Sequence, residues 1–432
     1  WFTNQPSNSG LYQNMVEYNT QKNPGSLPAD FGFNPNYRET LQKYPSLFPS
    51  TPSEQAPDVI AYVDPKFKMP QVWRSNLNVD IQLPYDFMLS VGAMYTRDIY
   101  NVAQINMNEA EPTGVYNEQP DRIYWASKKY EYNDYTNGKN VVVKLSNGED
   151  KGYQYSFNAI LTKKYDFGFT GSIGYTYTMA KDLTANPGSA PNSAWQNNVA
   201  VNSLNDPGVS YSLFSTPHRI IANASYEINY AKCLKTTFSL FYSGYHTGRY
   251  SYTYYNDMNG DGNYSDLIYV PNSQDEMTFV DITDKSGAIT YSAVDQAKDF
   301  WDFVNNDSYL KDRKGKYVER NGSLTPWINR FDFKIAQDFY ATLGGRKYGI
   351  QVSLDMLNVG NMINSKWGAY QSCGLKSYDN VQLLKTASKV GEPLTYQINA
   401  NSREAFKERS SWQYTNTIGS AWSMQLGVKV TF

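Results

Sequence analysis

The residues best spaced for chemistry are Asp257, Asn259, Asp261, Gly262 and Asn263, with Asp266 shortly after them. Oxygen-bearing side chains at alternate positions followed by glycine resemble the start of an EF-hand-type loop. There the same spacing wraps carboxylates and a backbone carbonyl around Ca²⁺, and the glycine permits the sharp turn. The segment departs from that pattern at its twelfth position, where Ile268 stands in place of the bidentate Glu, leaving Asp266 as the substitute. The same residues also read as a tight Asn-Gly/Asp-Gly turn with solvated carboxylates. Both readings stay open.

Other candidates are thinner. His218 and His246 are the two histidines of the chain. A hairpin centred near Ala231 and Lys232 makes them cross-strand neighbours. They read as rim residues hydrogen-bonded to headgroups or loop backbone, with a two-His metal site as the alternative. Tyr250, Tyr252, Tyr254, Tyr255 and Tyr264 form an aromatic run that could stack on a ligand or pack on itself. Nothing fixes two carboxylates at a glycosidase separation. No nucleotide-binding loop, nucleophile elbow or Cys/His metal spacing occurs. The expectation is therefore a protein that is not an enzyme.

Composition narrows the setting in which such residues must work. The chain has 432 residues, 41% hydrophobic and 19% charged, with net charge −2. Its 38 Tyr, 20 Phe and 9 Trp are unusually many, yet the mean hydropathy is −0.60. No run of about 18 apolar residues is present, so no transmembrane helix is expected. A polar average rich in aromatics is how an outer-membrane barrel reads, because only alternate residues of each strand meet lipid. The scattered Lys and Arg give no nucleic-acid footprint. Cys233 and Cys373 fall at opposite ends of the expected barrel and are read as two free thiols.

The elements that must position these residues show period-2 alternation. From Trp422 to Phe432 every second residue is apolar, with Ser423, Gln425, Gly427, Lys429 and Thr431 between. A strand of about 9 to 11 tilted residues spans a bilayer core. The pattern recurs near 76–83, 87–96, 153–162, 167–178, 219–228, 237–243, 330–335 and 350–356, which makes nine strands with the last. Short connections at 84–86, 163–166, 229–234 and 340–347 alternate with long ones at about 97–151, 179–216, 248–325 and 358–417. That asymmetry is characteristic of bacterial outer-membrane barrels, with the long loops outside. The fold class expected is all-β: a transmembrane antiparallel barrel.

On this reading Asp80, Glu227, Arg330, Asp332, Lys334, Asp355 and Lys429 face the lumen. Asp355 lies opposite the Arg330–Lys334 stretch, close enough for an ion pair. Trp73, Tyr95, Tyr175, Tyr177 and Trp422 form an interface girdle. Residues 1–70, rich in Pro, Asn and Ser, read as the tail of another outer loop, and 71–432 as barrel strands with their long loops. Nine strands is an odd number where bacterial barrels are even, so the expectation is that earlier strands precede Trp1.

Several segments resemble Oar-like TonB-dependent receptors in that family's order. They are FKMPQVWRSNLNVDIQLP (67–84), STPHRIIANASYEI (215–228), NDMNGDGNYSDLIYVP (256–271), NRFDFKIAQDF (329–339) and LDMLNVGNMINSKWG (354–368), closing on a terminal Phe432. The resemblance implies a barrel of roughly 22 strands of which these are the last nine, an N-terminal plug, and uptake energised by TonB. It implies cargo too large or too rare for porins: oligosaccharide, peptide or chelated metal. Outer-membrane lipid and a surface lipoprotein are the further partners expected. The alternative is a barrel that transports nothing and serves as surface adhesin or lipoprotein scaffold.

Overall fold

The computed structural model describes residues 27–32, 34–47, 59–132, 141–373, 376–377, 380–399, 412–415 and 417–432. Its largest element is an antiparallel sheet whose main path runs through nine strands in sequence order. These are β1 (Gln71–Leu83), β2 (Phe87–Tyr100), β3 (Tyr153–Lys164), β4 (Phe169–Asp182), β5 (His218–Tyr230), β6 (Leu234–His246), β7 (Trp327–Leu343), β8 (Arg346–Leu357) and β9 (Ser423–Thr431). Each strand pairs with the next. β1 and β9 are the edges of the path, and a short strand, Ser210–Tyr211, pairs with β4 beside it. All nine expected strands are present, most of them longer at their ends than the alternation alone marked.

The register keeps like faces together. Phe333 pairs with Met356, Ile335 with Leu354, and Leu354 with Leu426, so apolar residues line one face. Lys334 pairs with Asp355 on the other. On β9, Leu426, Val428 and Val430 are 73%, 68% and 59% exposed. Among the described residues no second sheet or helix covers this apolar row, which is the condition of a face made for lipid. No helix among the described residues is long and apolar enough to cross a membrane.

Aromatics mark the two ends of that face. On the long-loop side Tyr155 meets Tyr177 at 6.2 Å between ring centroids, and Tyr175 stacks on His218. On the short-turn side Tyr165, Phe167, Phe169 and Tyr226 form one cluster. Trp327 and Phe339 stand roughly 40 Å apart along β7 at about 3.3 Å per residue, or about 30 Å in height at a typical tilt. That matches a hydrocarbon core of about 30 Å.

The short connections are turns that force left-handed backbone. Tyr85 and Asp86 have φ of 62° and 58°, and Ala231 and Lys232 have 51° and 58°. The connection expected at 340–347 is tighter than that: β7 and β8 close on Gly344 and Gly345, with φ of 59° and 78°. Two consecutive positive φ values suit glycine and match the right-handed strand twist.

The long connections are not loose. All four contribute to one hydrophobic core that includes Tyr116, Val199, Tyr252, Ile268, Phe300, Phe303, Leu384 and Ile398. Strand Arg249–Tyr254 runs parallel to Asn380–Thr386, which also pairs with Tyr396–Ile398. Helix Ala293–Asn306 covers this small sheet with Phe300, Phe303 and Val304. Its start is capped by Ser292, whose hydroxyl accepts from the Asp295 amide at 3.1 Å. A second small sheet joins Val59–Val63, Val141–Ser146 and Ala103–Asn106. The outer segments thus make a folded unit on the sheet's outer end.

Candidate functional site

The Asp257–Asp266 turn sits inside that outer unit. Asp257 accepts from the amides of Gly260 at 2.7 Å and Gly262 at 2.9 Å. Asn259 accepts from the Asp261 amide at 3.0 Å, and Asp261 from the Asn263 amide at 2.7 Å. Asp266 accepts from the Met258 amide at 2.9 Å. Gly260 and Gly262 take φ of 82° and 94°, which is what lets the chain fold back so tightly. The turn therefore forms as its spacing suggests, but it is not a solvated one. Asn259, Asp261, Asn263 and Asp266 are all buried.

Burial without full charge balance sets the electrostatics. Loss of water pushes the carboxyls of Asp257, Asp261 and Asp266 above the usual range, and their mutual repulsion adds to it for Asp261 and Asp266. Arg122 opposes this for Asp266 from 3.6 Å. The Arg122 guanidinium is fully buried and also bonds the carbonyls of Val201 and Leu267 and the Gln119 side chain. Its plane lies 4.8 Å from the Tyr317 ring. It therefore ties three of the long connections together. Among the described residues no three Asp, Glu, His or Cys side chains are grouped to hold a metal. A cation in this turn would need side-chain amides and backbone carbonyls as well.

The aromatic run divides in two. Tyr250, Tyr252 and Tyr254 are 3%, 0% and 0% exposed, and they are core residues of the outer unit rather than a ligand platform. The Tyr252 hydroxyl donates to Asp307 at 2.7 Å. Six consecutive buried positions on this strand follow from cover on both faces, which removes the alternation that marks an exposed side. Tyr255 and Tyr264 remain exposed.

His218 and His246 lie opposite each other at the outer ends of β5 and β6 on the lipid face. Each ring is engaged separately. His218 Nδ1 bonds the Tyr175 hydroxyl at 2.7 Å, and His246 Nδ1 meets the Thr325 carbonyl at 2.6 Å. The His246 contact is to loop backbone, whereas His218 bonds a tyrosine of the neighbouring strand. Trp422 and Phe432 stand just before and after β9, both exposed. No disulfide joins the two cysteines: Cys233 is exposed in a short turn and Cys373 is buried in an outer segment.

The polar face carries the expected charges, most of them paired. Lys334 Nζ is 2.8 Å from Asp355, and Arg330 Nε is 3.4 Å from Asp332. Asp80 accepts from Ser90 at 2.5 Å. Lys429 is placed opposite Gln351. Glu227 belongs to a triad that sequence reading missed: Lys235 Nζ lies 3.7 Å from Glu227 and 3.6 Å from Asp338. Alternation near 330–335 would have revealed Asp338 had it been followed to the end of the strand.

Two carboxylates, Asp332 and Asp182, also anchor the outer segments. Asp332 accepts from the Asn358 amide at 2.7 Å. Asp182, on the polar face at the outer end of β4, meets Arg320 Nη2 at 3.4 Å. The same guanidinium donates to the carbonyls of Asp182 and Leu183.

Beside the outer ends of β2, β3 and β4 lies a cavity of about 470 Å³. Its apolar floor includes Leu183, Trp195 and Leu204; Gln104, Asn198, Lys144, Glu149, Asp150 and Asp206 supply polar groups around it. Its members come from two separate connections, so no local motif announces it. It offers hydrogen-bond donors and acceptors with an excess of carboxylates.

A family model described as the outer membrane beta barrel domain matches residues 2–369. Comparison with curated proteins and with solved structures gives no match. A sheet with an uncovered apolar face and aromatic rows at a bilayer's spacing fits the wall of an outer-membrane barrel. The chain belongs to the outer membrane beta barrel domain family, and its place is the bacterial outer membrane.

Proposed function

We propose that this chain is the C-terminal barrel portion of a TonB-dependent importer for a large or scarce substrate: an oligosaccharide, a peptide or a chelated metal. The plug and the TonB contact belong to that proposal, as does a surface lipoprotein partner. The observation that carries it is the polar cavity of about 470 Å³ at the base of the outer unit. A capture site belongs where outer segments meet strand ends, and amide and carboxylate groups hold a hydrogen-bonding cargo. The anchoring of outer segments to Asp182 and Asp332 on the polar face supports the same reading, because it draws them over the sheet's wet side.

The test is accumulation of candidate cargo by cells carrying the complete protein, with TonB present and absent. Import that stops without TonB, and weakens in D150N or D206N, supports the proposal. Surface binding that persists with no accumulation in either strain would replace it with the adhesin or scaffold reading.

Calcium in the Asp257–Asp266 turn is a separate proposal. The buried Asp261 and Asp266 and the half-buried Asp257 face the Arg122 guanidinium and the Lys129 ammonium there, and a divalent cation would relieve the remaining negative excess.

A further inference from the structure

At the outer end of β7, on the lipid-facing side, lies a recess of about 490 Å³. Trp327, Phe331, Trp367 and Tyr414 supply its apolar walls, and Lys366 stands at its edge. Trp327 pairs in register with His246, the last residue of β6, which sets the recess at the outer aromatic row. Phe331 continues downward into the apolar belt, packing on Tyr242 with 4.9 Å between ring centroids.

The walls are held firmly. The helix Val359–Ile363 packs on β7, with Met362 and Ile363 exposed. Asn358 takes φ of 53° and is wholly buried. Its side-chain amide donates to the Gly368 carbonyl at 3.2 Å and the Ser420 carbonyl at 2.9 Å. Asn361 donates to the carbonyls of Ser365 at 2.7 Å and Trp367 at 3.1 Å. Gly368 is required, since a Cβ there would stand 1.9 Å from Asn358 Oδ1. Trp367 stays 53% exposed and lines the recess. The Lys366 ammonium lies 5.8 Å from the centroid of the Tyr414 ring and is exposed.

We propose that this recess seats one acyl chain of a phosphate-bearing lipid from the surrounding outer leaflet, with Lys366 meeting the phosphate. The recess opens from a surface that already meets lipid, at the depth where headgroups begin. Aromatic walls accept a hydrocarbon chain, and a cation at the rim attracts the phosphate. The site is independent of whether the protein transports anything.

Native mass spectrometry of the complete protein, extracted gently from its membrane, tests it. The wild type retains a phosphorylated lipid. K366M lowers retention about fivefold and K366E roughly thirtyfold, as one and two units of charge near a membrane surface require. W367A lowers it as well, while K285E, an exposed lysine elsewhere on the outer unit, leaves it unchanged. Equal retention across K366E and wild type, with sheet content preserved, overturns the proposal. So does a protein partner that W367A releases while lipid retention stays constant.

Discussion

At the residue scale the decisive environment is the buried acidic turn. Asp266 is pushed up to about 7 by burial, against the pull of Arg122. Its folded form thus keeps a proton that the unfolded chain has already lost above about pH 4. Between about pH 4 and pH 7 the folded state binds more protons, so stability falls as pH rises across that window. In chelator, the outer unit is therefore expected to melt at a lower temperature at pH 8 than at pH 5. D266N should reduce that slope, and Asp257 and Asp261, raised by the same burial, should keep the rest. Millimolar CaCl₂ should recover the loss at pH 8 and change little at pH 5, because the protonated turn has less charge to offer. A pH 8 melting temperature indifferent to calcium would remove the calcium proposal and leave Arg122 and Lys129 as the counter-charges of the turn. R122M, which strands the Asp266 charge, is expected to cost about 3–5 kcal/mol in denaturant unfolding of the outer unit. The acidic spacing was plain in the sequence. Arg122 was not, because its partners lie far along the chain and no local pattern links them.

At the element scale, legibility follows solvent. Strands with one wet face and one oily face, such as β9 and β1, carry an unbroken alternation and were readable residue by residue. The segment Arg249–Tyr254 lost that signal because it is buried on both sides, and its tyrosines consequently looked available. Helix Ala293–Asn306 carries a helical spacing in Phe300, Phe303 and Val304, but it lies inside a connection expected as loop. The Gly344–Gly345 turn lies inside the wider connection expected at 340–347. Both residues need positive φ, so G345V should destabilise the β7–β8 hairpin by about 1–2 kcal/mol. Heat-modifiability of the barrel on gels measures this, and an unchanged transition would contradict the turn geometry. N358A tests the opposite end. It removes two hydrogen bonds that hold the β8–β9 connection, at about 1 kcal/mol each. Limited proteolysis near residues 358–369 should accelerate accordingly.

At the scale of the whole molecule, two faces of one sheet decide everything else. An apolar face as exposed as that of Leu426 and Val430 is stable only against lipid. In hydrocarbon the open edges of β1 and β9 must be paired, since unsatisfied backbone groups are too costly there. The outer unit adds a second core above the membrane, built by all four long connections. Composition and loop asymmetry made the membrane wall legible. They could not show that the outer segments share a core, because that core is assembled from residues scattered between Tyr116 and Ile398.

The most direct test of this account places single spin labels from Met424 to Lys429 on β9 of the complete protein in a bilayer. Oxygen collisions should peak at 424, 426 and 428, and a water-soluble nickel reagent should favour 425, 427 and 429. A flat profile, or nickel access at 426 and 428, would contradict a lipid-facing wall.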